Sequence, residues 1–296
     1  GLDRGFQRME ITPPPAGTPD GRGVGIGKAQ PGQVVAPAAR WLSNQSKDKP
    51  VFMMVHSRTA HFPFVVDKTG IDEDETGVTK LLFEAGKVDT LAREDNQAMP
   101  GMAGGTEQEG IVKINGPDPL QVRVNALGEP AVAMWKLRYL EAVQRMDHDM
   151  GALWTALEAR DRLDKTVIVV VADHGESLND YGELLHGDAF HDGVIHVPLM
   201  IRVPGLRGGQ STDALVSQVD ILPTILDLVG AVDPSGIDGQ SMVPLLTQAQ
   251  AQIRSALLSE GGVALQEGPE MPGAVIAPPW AMLRQRRGCG PGSIRL

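Results

Sequence analysis

Two apolar runs in this chain end abruptly in residues able to bind metal or move protons. Residues 167–172 (VIVVVA) give way to Asp173, His174 and Gly175. Residues 51–55 (VFMMV) give way to His56, Ser57 and Arg58, with His61 three residues further on. His186, His191 and Asp192 follow the first of these loops. Five of the seven histidines, His56, His61, His174, His186 and His191, therefore stand just beyond apolar runs, with His148 and His196 elsewhere. An Asp carboxylate beside a neutral imidazole suits a divalent cation. An oxygen-rich completion favours Ca²⁺ or Mg²⁺, and more nitrogen favours Mn²⁺ or Zn²⁺. Asp173 and His174 supply two such ligands, and at least two more must come from elsewhere. Taken singly, each has a plainer reading: an Asp that caps a turn and an ordinary loop histidine.

The elements that would position these residues are legible in outline. Residues 167–172 are short, β-branched and uncharged, as expected of a strand buried on both faces of a parallel sheet. Residues 135–162 upstream carry apolar residues at three- and four-residue spacings among charges, the pattern of an amphipathic helix. Helix then strand is half of an α/β repeat, and in open α/β sheets ligands sit beyond the carboxyl ends of strands. Residues 51–55 form a second buried-strand candidate and 197–203 a third, in which Pro198 fits a strand start or edge. Short helices are expected at 38–46, with Pro37 in the first turn, at 219–228 and from 242 to 247. A strand is expected at 255–259. The expected class is α/β, a mostly parallel sheet sandwiched by helices.

The domain organisation reads as a Pro/Gly-rich lead-in loop at 1–40 and a catalytic domain at 41–248, interrupted by an insertion or long excursion at 67–130. The start of a smaller C-terminal α+β region follows at 249–280, then an unpatterned tail at 281–296. The length of 296 residues suffices for a large core, and a hydrophobic content of 42% is that of a globular protein. The formal net charge of −10 argues against general nucleic-acid binding, which needs a basic surface. No stretch is long and apolar enough to span a membrane. The single cysteine, Cys289, excludes an internal disulfide framework. Compartment and oligomeric state are left open.

Four blocks then carry a resemblance. They are K-P-V-F-M-M-V-H-x5-F-P, V-I-V-V-V-A-D-H-G-E-S, H-G-D-A-F-H-D-G-V-I-H-V-P-L-M-I-R-V-P-G, and V-D-I-L-P-T-I-L-D-L-V-G with D-G-Q-S-M-V-P-L-L. In this order they resemble the sulfatase family of the alkaline phosphatase superfamily, over about residues 40–66 and 130–248. The resemblance implies an alkaline phosphatase-like fold and metal-dependent hydrolysis of a small-molecule or saccharide sulfate ester. It implies a divalent metal, Ca²⁺ first, with Mn²⁺, Zn²⁺ or Mg²⁺ as alternatives. Asp173 and His174 match the second metal-ligand pair. His61 matches a histidine that contacts the sulfate and can protonate the leaving oxygen. His186 matches a position contacting the sulfuryl oxygens, where many members use Lys. His196, Pro198 and Asp147 match positions expected to be structural. Phosphonate or phosphodiester hydrolases and phosphoglycerol or phosphoethanolamine transferases of the same superfamily share this half-site. A non-catalytic fragment with a vestigial site is the remaining alternative.

The family's nucleophile, a formylglycine made from the first residue of Cys/Ser-x-Pro-x-Arg, has no counterpart before residue 40, and neither has the first metal-ligand pair. The chain thus reads as a member lacking its N-terminal portion. Cys289-Gly290-Pro291-Gly292-Ser293 imitates the motif with Ser in the last place, but in an unpatterned tail. Without a covalent nucleophile most of the rate enhancement is absent. This polypeptide alone is therefore expected to be inactive or nearly so towards sulfate esters, and an appreciable metal-dependent rate in a chromogenic assay would contradict that.

Overall fold

A computed structural model describes residues 34–62, 64, 74–82, 128–186, 190–232, 235–248, 251–260, 273–278 and 280–284. Residues 1–33 of the lead-in, most of the 67–130 excursion, and the end of the tail with Cys289 lie outside the described residues, while 35–40, read as loop, open a helix. The chain forms two compact units, residues 1–163 and 164–296.

In the first unit, helix α1 (Val35–Ser43) packs on the long helix α2 (Glu129–Glu158). Helix α2 starts six residues earlier than its periodicity suggests. Pro130 lacks a backbone N–H, yet the first turn of a helix needs none there, so it is accommodated rather than excluded. Its buried side chains include Ala131, Val132, Trp135 and Ala142. Trp135 is fully buried. Phe62 stacks on its ring at 5.7 Å, and Phe64 meets it edge-on at 5.2 Å. These three aromatic residues form core.

Residues 51–58 follow, with no strand ladder among the described residues. Residues 51–55 were expected to be buried, but alternate residues face out, and Phe52 and Met54 are 64% and 67% exposed. The two-residue alternation of a strand is present. A strand is completed only by neighbours that take its backbone hydrogen bonds.

Residues 78–82 are helical, and Asp74 holds the start of that turn. Its Oδ1 accepts from Thr76 N–H at 2.9 Å and its Oδ2 from Thr79 N–H and Thr79 Oγ1, both at 2.6 Å. Arg138 from α2 donates to Thr79 Oγ1 at 2.9 Å, which ties the turn to the helix.

In the second unit, β1 (Ile168–Val171) pairs with β4 (Leu199–Arg202), Val171 standing opposite Leu199. The pairing is antiparallel, as is every strand pair among the described residues. The reason is chain path. After β1 the chain stays at the strand's carboxyl end, through the hairpin of β2 (Ser177–Asp180) and β3 (Glu183–Leu185) and the short helix α3 (Asp192–Ile195). It then runs back alongside β1. A parallel neighbour would need a crossover to the opposite end. Strand β1 is also half-buried rather than buried on both faces, with Val171 39% exposed. Pro198 precedes β4, where its missing N–H costs no ladder bond.

Helix α4 (Ile221–Leu228) and the short α5 (Val243–Thr247) fall where the sequence places them. A three-stranded antiparallel sheet of β5 (Leu257–Glu260), β6 (Gly273–Ala277) and β7 (Trp280–Arg284) follows. Strand β7 corrects the reading of residues 281–284 as unpatterned tail.

Burial pushes the Asp74 carboxyl up, but hydrogen bonds from the side chains and backbone amides of Thr76 and Thr79 outweigh it and hold the pKa below 3.8. Its stabilisation is complete above that unfolded value and is lost as pH falls through the lower folded one. Asp74→Ala should cost about 1–2 kcal/mol at neutral pH, the usual worth of such a capping group. In urea unfolding, the gap between variant and parent should close as the pH drops below about 3.8.

Candidate metal and anion site

The site in the second unit starts where β1 stops. Ala172 and Asp173 leave the strand in a bend, and Asp173 Oδ1 accepts the backbone N–H of His174 at 3.1 Å. His174 Nδ1 lies 2.8 Å from the carbonyl oxygen of Gly175. A carbonyl only accepts, so Nδ1 carries the proton, which in a neutral ring leaves the lone pair on Nε2. That Nε2 stands 3.9 Å from Asp173 Oδ2. Two metal–ligand bonds of about 2.0–2.3 Å reach across such a gap, so one ion fits both atoms. Among the described residues no group of three or more His, Cys, Asp or Glu side chains is arranged to hold a metal. Asp173 and His174 are thus two neighbouring side chains of ligating type.

Gly175 turns the chain away from the strand. Its N–H donates to Val194 O at 2.7 Å, and a Cβ on it would stand 2.1 Å from Gly193 O. No side chain but hydrogen fits. Beyond it Glu176 and Ser177 are buried, and Ser177 Oγ donates to Glu183 O at 2.7 Å, closing the β2–β3 hairpin. Leu185, the last residue of β3, has a left-handed backbone with φ 69°. The chain thereby turns so that His186 faces back toward the start of the hairpin. Its Nδ1 lies 3.2 Å from Glu176 Oε1, and its ring lies 4.0 Å from the ring of His174, centroid to centroid. The Glu176 side chain is only 4% exposed, and that of His186 29%. A carboxylate accepting from Nδ1 fixes the ring and aims Nε2 away from it.

The second unit thus brings Asp173, His174 and His186 together and adds Glu176, which the sequence reading passed over. The signal was available: a carboxylate two residues beyond the ligand pair, in D-H-G-E, ahead of the hairpin that returns His186. His191 does something plainer. Its Nδ1 accepts the N–H of Gly193 at 3.1 Å, capping α3. His196 ends the same helix, and Asp147 and His148 are exposed on α2.

His61 belongs to the first unit. Its N–H bonds Arg58 O at 3.1 Å, and its own carbonyl receives Phe64 N–H at 3.0 Å, so the aromatic core anchors the turn. Its Nδ1 lies 2.6 Å from Phe62 O and its Nε2 3.1 Å from Arg58 Nη2. The first contact puts the proton on Nδ1. The second has Nε2 accepting from a guanidinium, which only donates. His61 is thus a neutral ring paired with a cation. Arg58 is the second residue missed, three positions before His61 on the same turn. His56 is exposed.

Comparison with known proteins fits this arrangement. The sulfatase family profile matches residues 7–231, and the chain belongs to the sulfatase family. Members of that family generally depend on a divalent metal. Arylsulfatase K of Danio rerio is 34% identical over 110 residues, 37% of this chain and 21% of that protein. The chain spans about a fifth of the length of the curated arylsulfatases it matches. Among solved structures, the phosphonate monoester hydrolase of Agrobacterium radiobacter superposes with a TM-score of 0.60 at 24% identity, over 88% of this chain and 53% of that one. A protein solved in complex with its substrate D-glucosamine-2-N,6-O-disulfate gives 0.58 at 19% identity, over 85% and 59%. The fold is the α/β, alkaline phosphatase-like one.

Gly175→Ala should displace the loop from α3, because backbone atoms stand in the way of its Cβ and cannot yield as a flexible side chain would. Amide exchange at Val194 and Ile195 and a lowered melting temperature are the expected signs. A variant with parental melting and exchange would refute the close approach.

Proposed function

We propose that this chain carries the second half-site of a metal-dependent sulfuric ester hydrolase. The observation that carries the reading is the Asp173–His174 pair, its Oδ2 and Nε2 3.9 Å apart, with the tilted His186 ring 4.0 Å from that of His174 and held by the buried Glu176 carboxylate. Asp173 and His174 would hold the metal, Ca²⁺ first given the carboxylate. When bound, it supplies positive charge against a non-bridging oxygen of the ester. His186 contacts the sulfuryl oxygens through Nε2, with Glu176 holding the ring so that this nitrogen faces the site. His61, which the family resemblance assigns to the leaving oxygen, has its Nε2 accepting from Arg58, so it would have to take a proton from solvent before it could donate one. Catalysis of this kind is mostly positioning and charge neutralisation. A formylglycine nucleophile is what the family resemblance adds.

The substrate is a small-molecule or saccharide sulfate ester. The proteins matched include arylsulfatases, and one structural relative was solved with a disulfated glucosamine. The phosphonate and phosphodiester hydrolases of the superfamily share this Asp-His half-site, so the same residues admit that second reading. Paired chromogenic aryl sulfates and aryl phosphonates, assayed with the gene's full product, separate the two.

The first test is metal binding. Ca²⁺ or Mn²⁺ should raise the melting temperature, by the equivalent of about 2.7 kcal/mol at 100 times Kd. Asp173→Ala and His174→Ala should each abolish the shift. No shift with any divalent ion leaves only the vestigial reading. In an active form, His186→Ala should lose about 100-fold in kcat, while His186→Lys retains most of it.

A further inference from the structure

The ligand pair sits on a loop whose side chains are largely solvent-exposed, 68% for Asp173 and 37% for His174. Two ligands on such a loop bind one ion only if the backbone between them is held. In a strand, successive carbonyls point to opposite sides. Here the carbonyl oxygens of Ala172 and Asp173 both receive one nitrogen, Gln218 Nε2, at 2.7 and 2.8 Å. A primary amide has two N–H groups, one for each carbonyl. The double bond is possible only because the chain has left the strand, and it fixes the bend that turns Asp173 towards His174.

Gln218 is itself rigidly mounted. It opens a one-turn 3₁₀ helix, Gln218–Asp220, whose cap is a reciprocal Ser217–Asp220 box. Asp220 is fully buried. It accepts from Ser217 N–H and Gln240 N–H, both at 2.8 Å, and from the guanidinium of Arg254 through Nε at 3.1 Å and through Nη2. The amide therefore projects from an anchored turn, 45 residues along the chain from the carbonyl it meets at Asp173.

We infer that Gln218 is the positioning residue of the metal-ligand loop, presetting Asp173 and His174 through the two carbonyls rather than touching the ion. This rests on the assignment of Asp173 and His174 as ligands, but the clamp itself can be tested without metal. Groups that orient metal ligands typically cost 10- to 100-fold in affinity when removed.

The test uses Gln218→Met, similar in length and without a donor, and Gln218→Lys, which restores a donor. In metal-free protein, the Met variant should speed amide exchange at His174 and Gly175 several-fold, with exchange in β4 unchanged. Its Kd for Ca²⁺ or Mn²⁺ should weaken about 10-fold, and Lys should recover part of both losses. If the Met variant does not fold, Gln218→Glu, of the same length but with no side-chain donor when ionised, takes its place with the same expected losses. Parental exchange, or parental Kd, in the Met variant overturns the inference. A parent that binds no divalent ion overturns the metal assignment instead, and the exchange result then decides the clamp alone.

Discussion

Between Gly175 and Gly193 there is room for hydrogen and nothing larger, since a Cβ would fall 2.1 Å from a backbone oxygen. Much of the second unit's site follows from that approach. The Gly175 N–H reaches Val194 O, so the end of β1 and the start of α3 are joined across the whole intervening hairpin. The hairpin must then fold within a closed span. Its left-handed residues Asn179, Tyr181 and Leu185 are where it bends to do so. Non-glycine residues in that conformation are uncommon and persist when surrounding structure over-determines them. One consequence is the return of His186 to the loop from which the hairpin departs.

Glu176 gives that return its chemistry. A carboxylate with 4% of its side chain exposed is costly unless it finds a donor, and His186 Nδ1 is beside it. The same contact fixes the imidazole plane. A histidine so held is a directed group, unlike a flexible, strongly hydrated lysine ammonium. In the first unit, orientation has another source. Phe62, Phe64 and Trp135 form a packed aromatic cluster, and His61 stands on the turn leading into it, so its backbone is set by the core while Arg58 meets its outer nitrogen.

Element positions, and Asp173 and His174 standing together at a strand end, were legible in the sequence because they rest on local rules: hydrophobic period sets helix and strand. Strand direction was not legible. The apolar run at 167–172 looks the same with a parallel or an antiparallel neighbour. What decides is that the chain lingers at one end of β1 before running back as β4. Nor does an apolar run disclose how much of it is covered: Phe52, Met54 and Val171 are exposed despite belonging to uncharged runs.

The sequence by itself determined the family, the α/β class and the candidacy of Asp173, His174, His61 and His186. Those are statements about residue types at short spacings. Only the tertiary structure decided which groups orient them: Glu176 behind His186, Arg58 against His61, and Gln218 across the two carbonyls before His174. These partners are recognised by distance and direction. Arg58 and Glu176 lie close in sequence to what they serve, but a charged residue near a loop is usually solvated, and nothing in composition marks it as paired. Gln218 lies 45 residues from Asp173, and its amide becomes a clamp only where folding sets it opposite two carbonyls that no longer point apart.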